Sequence, residues 1–369
     1  MIRVAIIGTG SIATAHLEAY TLFSERCQVV ALVDSREERA SQLKDKFQLD
    51  SKFMQDYHEL LEDEEVDLVS ICTPPHSHAS IVIDCLRAGK HVLVEKPMAM
   101  SLEECDLMVE AAAESGCILS VVGQNRFLDP PMKLKATLDT GLAGKIVHTQ
   151  VDSLWWRGHS YYDVWWRGTW EKEGGGCTLN HGVHHMDLLQ WMLGMPHTVQ
   201  AVMSNTSHDN AEVEDLSIAI LSYPNGSLAQ ITSSVVHHGQ EQQMIFQGER
   251  ARISAPWKVY ASTSQADGFP ERNSALEEEL EQYYNNLEPL QYKGHTGQID
   301  DCMTAIENNS LQVLIDGHEG RKMIELITAI YEAAITARPV SLPLTKESKL
   351  YTREGFLANA PHFHSLGGK

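Results

Sequence analysis

The stretch "GGGCTLNHGVHHMD", Gly174–Asp187, ends in eight residues that hold an asparagine, three histidines and an aspartate. Imidazole titrates near neutrality, so such a group can move protons or ligate a metal. Read as a helix, it puts Asn180, His184 and Asp187 on one face and His181 and His185 on another. A metal needs three or more convergent ligands. His181 and His185 could supply two, and a completed set of convergent ligands is not expected. The expectation is therefore proton transfer at His184 and no metal. His181 and His185 read as core or surface histidines, and the glycine run as a place where backbone approaches a ligand closely.

A cation is available to face that histidine. In "VLVEKPM" an apolar run ends in Glu95-Lys96-Pro97. Proline stops strand pairing and makes the residue before it extended. Lys96 is thereby aimed from a strand end into a cleft, where its ammonium can donate to a substrate oxygen. A solvated lysine would fit the same spacing. The cleft reading is preferred because the same edge has to hold a cofactor.

The cofactor signal is "VAIIGTGSIATAHLEAY". Gly8, Gly10 and Ala13 have the G-x-G-x-x-A spacing between a strand and a helix. Gly8 permits the tight turn, Gly10 lets backbone approach a pyrophosphate, and Ala13 lets the helix pack closely on its strand. A second strand, "CQVVALVD", ends in Asp34, which can accept from both ribose hydroxyls of an adenosine. An ordinary strand–helix turn with Asp34 as a cap is the plainer alternative. A carboxylate there repels a 2′-phosphate, so NAD is expected ahead of NADP, although Arg36 and Arg39 lie near enough to accommodate the latter.

Strands and helices alternate through the first 125 residues. "VDLVSICTPP", "KHVLVEKPM" and "CILSVVGQNRF" read as strands. "SHASIVIDCLRAG" and the Ser101-capped "SLEECDLMVEAAAESG" read as helices that stop at glycine. This is a doubly wound parallel sheet, whose ligands lie at the carboxyl ends of the strands. Cys72–Pro75, Glu95–Pro97 and Gln124–Arg126 fall at such ends. From Lys145 the pattern changes to strands, with a "PNGS" hairpin at Pro224–Ser227, as in an antiparallel meander. "QIDDCMTAIENN" and "EGRKMIELITAIYEAAITA" are later helices. The expected architecture is α/β, a Rossmann domain over residues 1–125 and a second α/β domain over 126–369.

Trp155, Trp156, Trp165, Trp166 and Trp170 crowd into one segment that precedes the glycine run. They could form platforms for sugar C–H faces, with Arg and Tyr side chains, Tyr162 among them, donating hydrogen bonds. They could equally pack between domains or subunits. Formal net charge is −21, which disfavours nucleic acid and anionic membranes and leaves small molecules as the natural partners. No apolar run reaches the roughly 18–20 residues of a membrane span. The seven cysteines form no C-x-x-C pair, and no cleavable signal precedes the first strand, so a reducing cytoplasm is expected.

"GTGSIA", "VDLVSICTPPHSH", "AGKHVLVEKP", "QNRF", "GGGCTLNHGVHHMD", "GHTGQIDD" and "RPVSLP", in this order, resemble the Gfo/Idh/MocA family of nucleotide-dependent oxidoreductases. The resemblance implies a Rossmann domain followed by a domain with a large, mostly antiparallel sheet, through which dimers or tetramers form. It implies sugar, cyclitol or glycoside substrates, with Lys96, Asn180 and His184 in the catalytic positions. With the strand-end placement, it implies cofactor contacts at Ser11, Ile12, Arg39, Thr73, Pro74, Pro75, His78, Glu95, Gln124, Trp166 and Arg167. Substrate contacts are expected at Arg126, Trp155, Tyr162 and His295, beside the catalytic three. Many family members carry aspartate where this chain has Asn180, and an amide neither relays a proton nor raises the pKa of a nearby imidazole. Three activities follow as expectations. The first is net oxidation of a secondary hydroxyl, glucoside C3 being one version. The second is glycoside cleavage through transient oxidation with a tightly held NAD. The third is a silent NAD-binding regulator, for which Lys96 and His184 would be unnecessary.

Overall fold

The computed structural model describes residues 1–63 and 65–365. Residues 366–369, the end of the expected second domain, lie outside the described residues.

Val4–Ile7, Leu68–Ile71 and Val92–Val94 are buried along their whole length. A strand apolar on both faces requires cover on both sides, as in a parallel sheet between helix layers. The first sheet has strands β1 (Ile2–Ile7), β2 (Cys27–Val33), β3 (Lys52–Met54), β4 (Leu68–Ile71), β5 (His91–Val94) and β6 (Leu119–Val121). All pair in parallel, in the order β3-β2-β1-β4-β5-β6. The order reverses between β1 and β4, and the crevice at that point is where such sheets bind ligands. The Ser101 cap forms as the sequence indicates: its Oγ accepts from Glu104 N at 3.2 Å, and the helix stops at Gly116 in the left-handed region.

The second sheet has nine strands in the order β14-β13-β12-β11-β7-β10-β9-β8-β15. They are β7 (Ile146–Leu154), β8 (Thr198–Ser204), β9 (Leu216–Ser222), β10 (Leu228–Ser234), β11 (Gln242–Gly248), β12 (Ala251–Ala255), β13 (Lys258–Ser264), β14 (Pro270–Arg272) and β15 (Val340–Ser341). Among the described residues of this sheet, only β7 and β10 pair in parallel. One face packs on helices such as Gly317–Thr336, and residues on the other face alternate with it at period two. Val202, Ile218, Ile220 and Leu228, 43–65% exposed, share that open face by register.

The chain also returns to its beginning. The helix Gly294–Glu307 packs on the helix Ala13–Leu22, and its Ile299, Cys302 and Met303 join the core of Ile2, Val4, Ile6 and Leu17. The first sheet ends at Val121 and the second begins at Ile146, and a late helix adds to the cover of the first.

Candidate active site

A cavity of about 1620 Å³ runs along the carboxyl edge of the first sheet, from Asp34 to His184. It gathers Gly8, Gly10, Ser11, Ile12, Asp34, Arg39, Thr73, Pro74, Pro75, Glu95, Lys96, Trp155, Trp166, Arg167, Asn180 and His184, all expected from the sequence.

At one end the residues fit a dinucleotide. Gly8 has φ +92°, and a Cβ there would stand 2.8 Å from the Cys72 backbone, so only glycine makes this turn. Gly10 faces open space, the opening that a pyrophosphate needs. Asp34 Oδ2 accepts from Thr9 N and Thr9 Oγ1, both at 2.8 Å, and Oδ1 accepts from Arg36 N at 2.9 Å. Burial would raise the Asp34 carboxyl, but the bonds from Thr9 and Arg36 outweigh it and keep it ionised below its ordinary range. Ala13 is buried against the sheet, in its expected packing role. His78 stands behind the wall. It is fully buried and its ring nitrogens lie 2.8 Å from the Pro97 and Thr73 carbonyl oxygens, so it braces two cavity loops without entering the cavity.

At the other end, Lys96 Nζ donates to the Asn180 carbonyl at 3.2 Å. Burial lowers the Lys96 pKa, with Glu95 opposing and Arg167 reinforcing. His184 has no hydrogen-bond partner among the described residues. Burial first, then the charges of Lys96 and the neighbouring histidines, hold its pKa well below the usual imidazole range. His184 is therefore a free base at neutral pH.

The local fold around His184 differs from one continuous helix. A short turn, Cys177–Asn180, and a helix, Val183–Leu193, are separated at His181-Gly182. Gly182 touches Ser233, where a Cβ would stand 2.4 Å from the hydroxyl. The break swings His181 into the cavity wall, correcting the expectation that it lies off the catalytic face. His181 is 7% exposed, its Nδ1 has no partner, and its ring lies 5.8 Å from those of both Trp155 and Tyr161. His185 does face away, 3.0 Å from Ser153 Oγ in the core, its pKa pushed down to about 4 by burial.

Several other expectations are corrected here. The glycine run meets protein, not ligand: a Cβ on Gly176 would lie 1.9 Å from the Glu214 carbonyl oxygen, and one on Gly175 2.2 Å from the Tyr331 hydroxyl. Glu214, fully buried, accepts from Gly176 N, Thr178 N and Tyr331 Oη. Asn180 Nδ2 donates to the Gly175 and Gly176 carbonyls at 2.8 and 3.3 Å, so its amide holds the turn and not the imidazole. An aspartate would set a carboxylate against two carbonyl oxygens, which is a physical reason for asparagine in this chain.

Arg126 is no substrate contact. It is 1% exposed and paired with Asp187, at 2.7 Å, and Glu319, at 2.8 Å. The same pairing takes Asp187 away from His184. His295 reaches Glu95 from behind the wall: His16 Nε2 and His295 Nε2 lie 3.0 and 3.1 Å from the same oxygen, Glu95 Oε1. These three bring ligand-type atoms within 4.8 Å of one another, a grouping that sequence spacing did not disclose. The shared oxygen makes it a hydrogen-bonded triad, and those two bonds overcome burial to hold the Glu95 carboxyl well below its ordinary range. Gln124 lies outside the cavity lining, in the turn that follows β6. Tyr162 is 1% exposed behind Tyr161, and Tyr161 is the one that lines the cavity.

The tryptophans divide. Trp155, Trp165 and Trp166 line the cavity, Trp156 stacks outward on His238, and Trp170 is core, its Nε1 donating to the Pro361 carbonyl at 2.7 Å. Arg167 lies over the Tyr161 and Trp166 rings and pairs with buried Glu173 at 3.1 Å. Burial pushes the Glu173 carboxyl up to about 7. Tyr161, Arg157 and Glu173 escaped the sequence reading. Arg157 had a signal in the repeated Trp-Trp-Arg-Gly, whereas Glu173 had none.

A sheet-edge cavity that joins a dinucleotide turn to a lysine and a neutral histidine defines a nucleotide-dependent oxidoreductase. Residues 2–122 match the model of the oxidoreductase family with an NAD-binding Rossmann fold, and residues 132–254 match the GFO/IDH/MocA C-terminal domain. The chain belongs to the Gfo/Idh/MocA family and is an NAD-dependent dehydrogenase. A myo-inositol 2-dehydrogenase of Thermotoga maritima is 28% identical over 260 residues, 69% of this chain and 75% of that protein. A D-glucoside 3-dehydrogenase of Escherichia coli is 25% identical over 360 residues, 92% of this chain and 97% of that one. The solved structure of the WlbA dehydrogenase of Bordetella pertussis, in complex with NADH and UDP-GlcNAcA, superposes with a TM-score of 0.80 at 27% identity, covering 93% of this chain and 98% of that one.

Proposed function

We propose that this protein oxidises a secondary hydroxyl of a sugar, cyclitol or glycoside, with NAD preferred over NADP. The observation that carries the reading is one cavity holding an ionised Asp34 at one end and Lys96 with neutral His184 at the other. Bound NAD supplies the hydride acceptor. His184 takes the hydroxyl proton, and Lys96 donates to the same oxygen and stabilises its alkoxide character. The Asp34 carboxylate accepts from ribose hydroxyls and disfavours a 2′-phosphate. Trp155, Trp165 and Trp166 offer faces for a ring to stack on. The inositol and glucoside dehydrogenases among its relatives support a carbohydrate substrate, glucoside C3 being one version. The open face of the second sheet is proposed as a contact between copies of this chain.

The test is incubation with glycosides and cyclitols at stoichiometric NAD. Lasting NADH with an intact keto product is the expected result. Released aglycone without lasting NADH would identify transient oxidation instead. Absence of any turnover, with NAD bound, would overturn the dehydrogenase reading.

A further inference from the structure

We infer, resting on the dehydrogenase reading above, that the substrate carries a carboxylate, received by Arg157 and His181 while its reacting hydroxyl lies between Lys96 and His184. The substrate class is a sugar acid, free or as its glycoside.

The inference starts from an imbalance of charge. The protein as a whole is strongly acidic, with formal net charge −21. Within the cavity Lys96, Arg157 and Arg167 line the end that holds the reacting groups, and the one carboxylate among them, Glu95, is already engaged by His16 and His295. Three cations held together in a wall repel one another, so each is favoured by a counter-charge. Arg167 is paired with Glu173 at 3.1 Å. Lys96 is committed to the reacting oxygen. Arg157 makes no ion pair with a carboxylate among the described residues. Its Nη1 donates to the Trp156 carbonyl at 2.7 Å and to Gln240 Oε1 at 3.1 Å, both neutral, and its guanidinium lies over the Trp155 and Tyr161 rings at 5.3 and 5.5 Å. Those contacts fix its position without neutralising it.

His181 points the same way independently. It is more than nine-tenths buried, lines the cavity, and leaves Nδ1 without a partner. A buried polar atom of this kind is usually paired, so an unpaired one in a cavity wall marks a place for a ligand atom. The charges that face His181 are all cations, namely Arg157, Lys96 and Arg167. Its ring and the Arg157 guanidinium both flank Trp155 and Tyr161. An anion placed there meets a charge and a hydrogen-bonding group side by side. One uncompensated guanidinium suits a monoanion, hence a carboxylate and not a phosphate dianion.

The test uses matched pairs that differ only at the terminal carbon: glucose and glucuronate, galactose and galacturonate, their methyl glycosides, and the 6-phosphates. NADH formation is followed with the NAD-loaded full chain. The expected result is kcat/KM at least tenfold higher for an acid than for its neutral partner. In Arg157→Gln that ratio falls toward one through KM, and Arg157→Lys restores part of it. Neutral sugars turned over as well as acids, a preference for the 6-phosphates, or equal losses on both members of each pair in Arg157→Gln would each overturn the inference while leaving the dehydrogenase reading intact. Failure of every sugar, charged or neutral, to reduce NAD would overturn that reading itself.

Discussion

His184 is depressed by burial and by the charge of Lys96, and this sets a pH profile. Oxidation needs the free imidazole, which persists at pH values well below the ordinary 6.5. It also needs protonated Lys96, whose proton leaves below the ordinary 10.5. The acid limb of kcat/KM should therefore fall well below pH 6.5, and the alkaline limb should begin before pH 10.5. His184→Ala should lower kcat by about 10²–10⁴-fold with NAD affinity retained; a drop confined to NAD binding would refute the assignment. Asn180→Asp gives a second prediction. It exchanges a donor for a carboxylate against the Gly175 and Gly176 carbonyls, so it should destabilise the turn by about 1–3 kcal/mol, read as a lower unfolding midpoint. At this scale the sequence disclosed the chemistry of Lys96 and His184 because their types and strand-end placement are local. It misplaced His181, since the break at Gly182 lies against Ser233 of β10, a neighbour distant in sequence.

The element that carries His184 is the helix Val183–Leu193, and its anchor is ionic. Asp187 on this helix meets Arg126 in the turn after β6, with Glu319 completing the cluster. Removing one partner from a buried pair strands a charge, which typically costs about 3–5 kcal/mol. Asp187→Ala should show that loss in urea unfolding, and Arg126→Met in the same chain should recover much of it. An unchanged midpoint in the single variant would mean that the pair holds nothing. Five strands of the first sheet, the glycine stops and the Ser101 cap were legible, because propensity and spacing dictate them; the three-residue β3 was not. Strands β13–β15 and the helix Ser274–Asn286 were not. Pro270–Arg272 and Val340–Ser341 are too short for a periodic pattern, and tertiary pairing alone makes them strands.

For the whole molecule, the open face of the second sheet bears Val202, Ile218, Ile220 and Leu228 in adjacent strands. Contiguous apolar area on a sheet is a recognised seat of association. Ile218→Glu with Val202→Glu should reduce the sedimenting mass to that of one chain and leave the cavity's NAD affinity in place. A wild type that already sediments as a single chain would refute the contact. Nothing in the alternating pattern of β8 and β9 distinguished such a face from a solvated one, because period two reports that the faces differ and not what covers the second.

The return of the helix Gly294–Glu307 to the first domain has a consequence for how the chain is made. Synthesis delivers the six strands of the first sheet early, yet part of their cover is encoded in the last third of the sequence. Until that helix leaves the ribosome, Ile2, Val4, Ile6 and Leu17 lack the partners they have in the finished core. The nascent dinucleotide domain must wait, partly uncovered, while strands β7–β14 of the second sheet are translated, and during that interval it is open to chaperones and to aggregation.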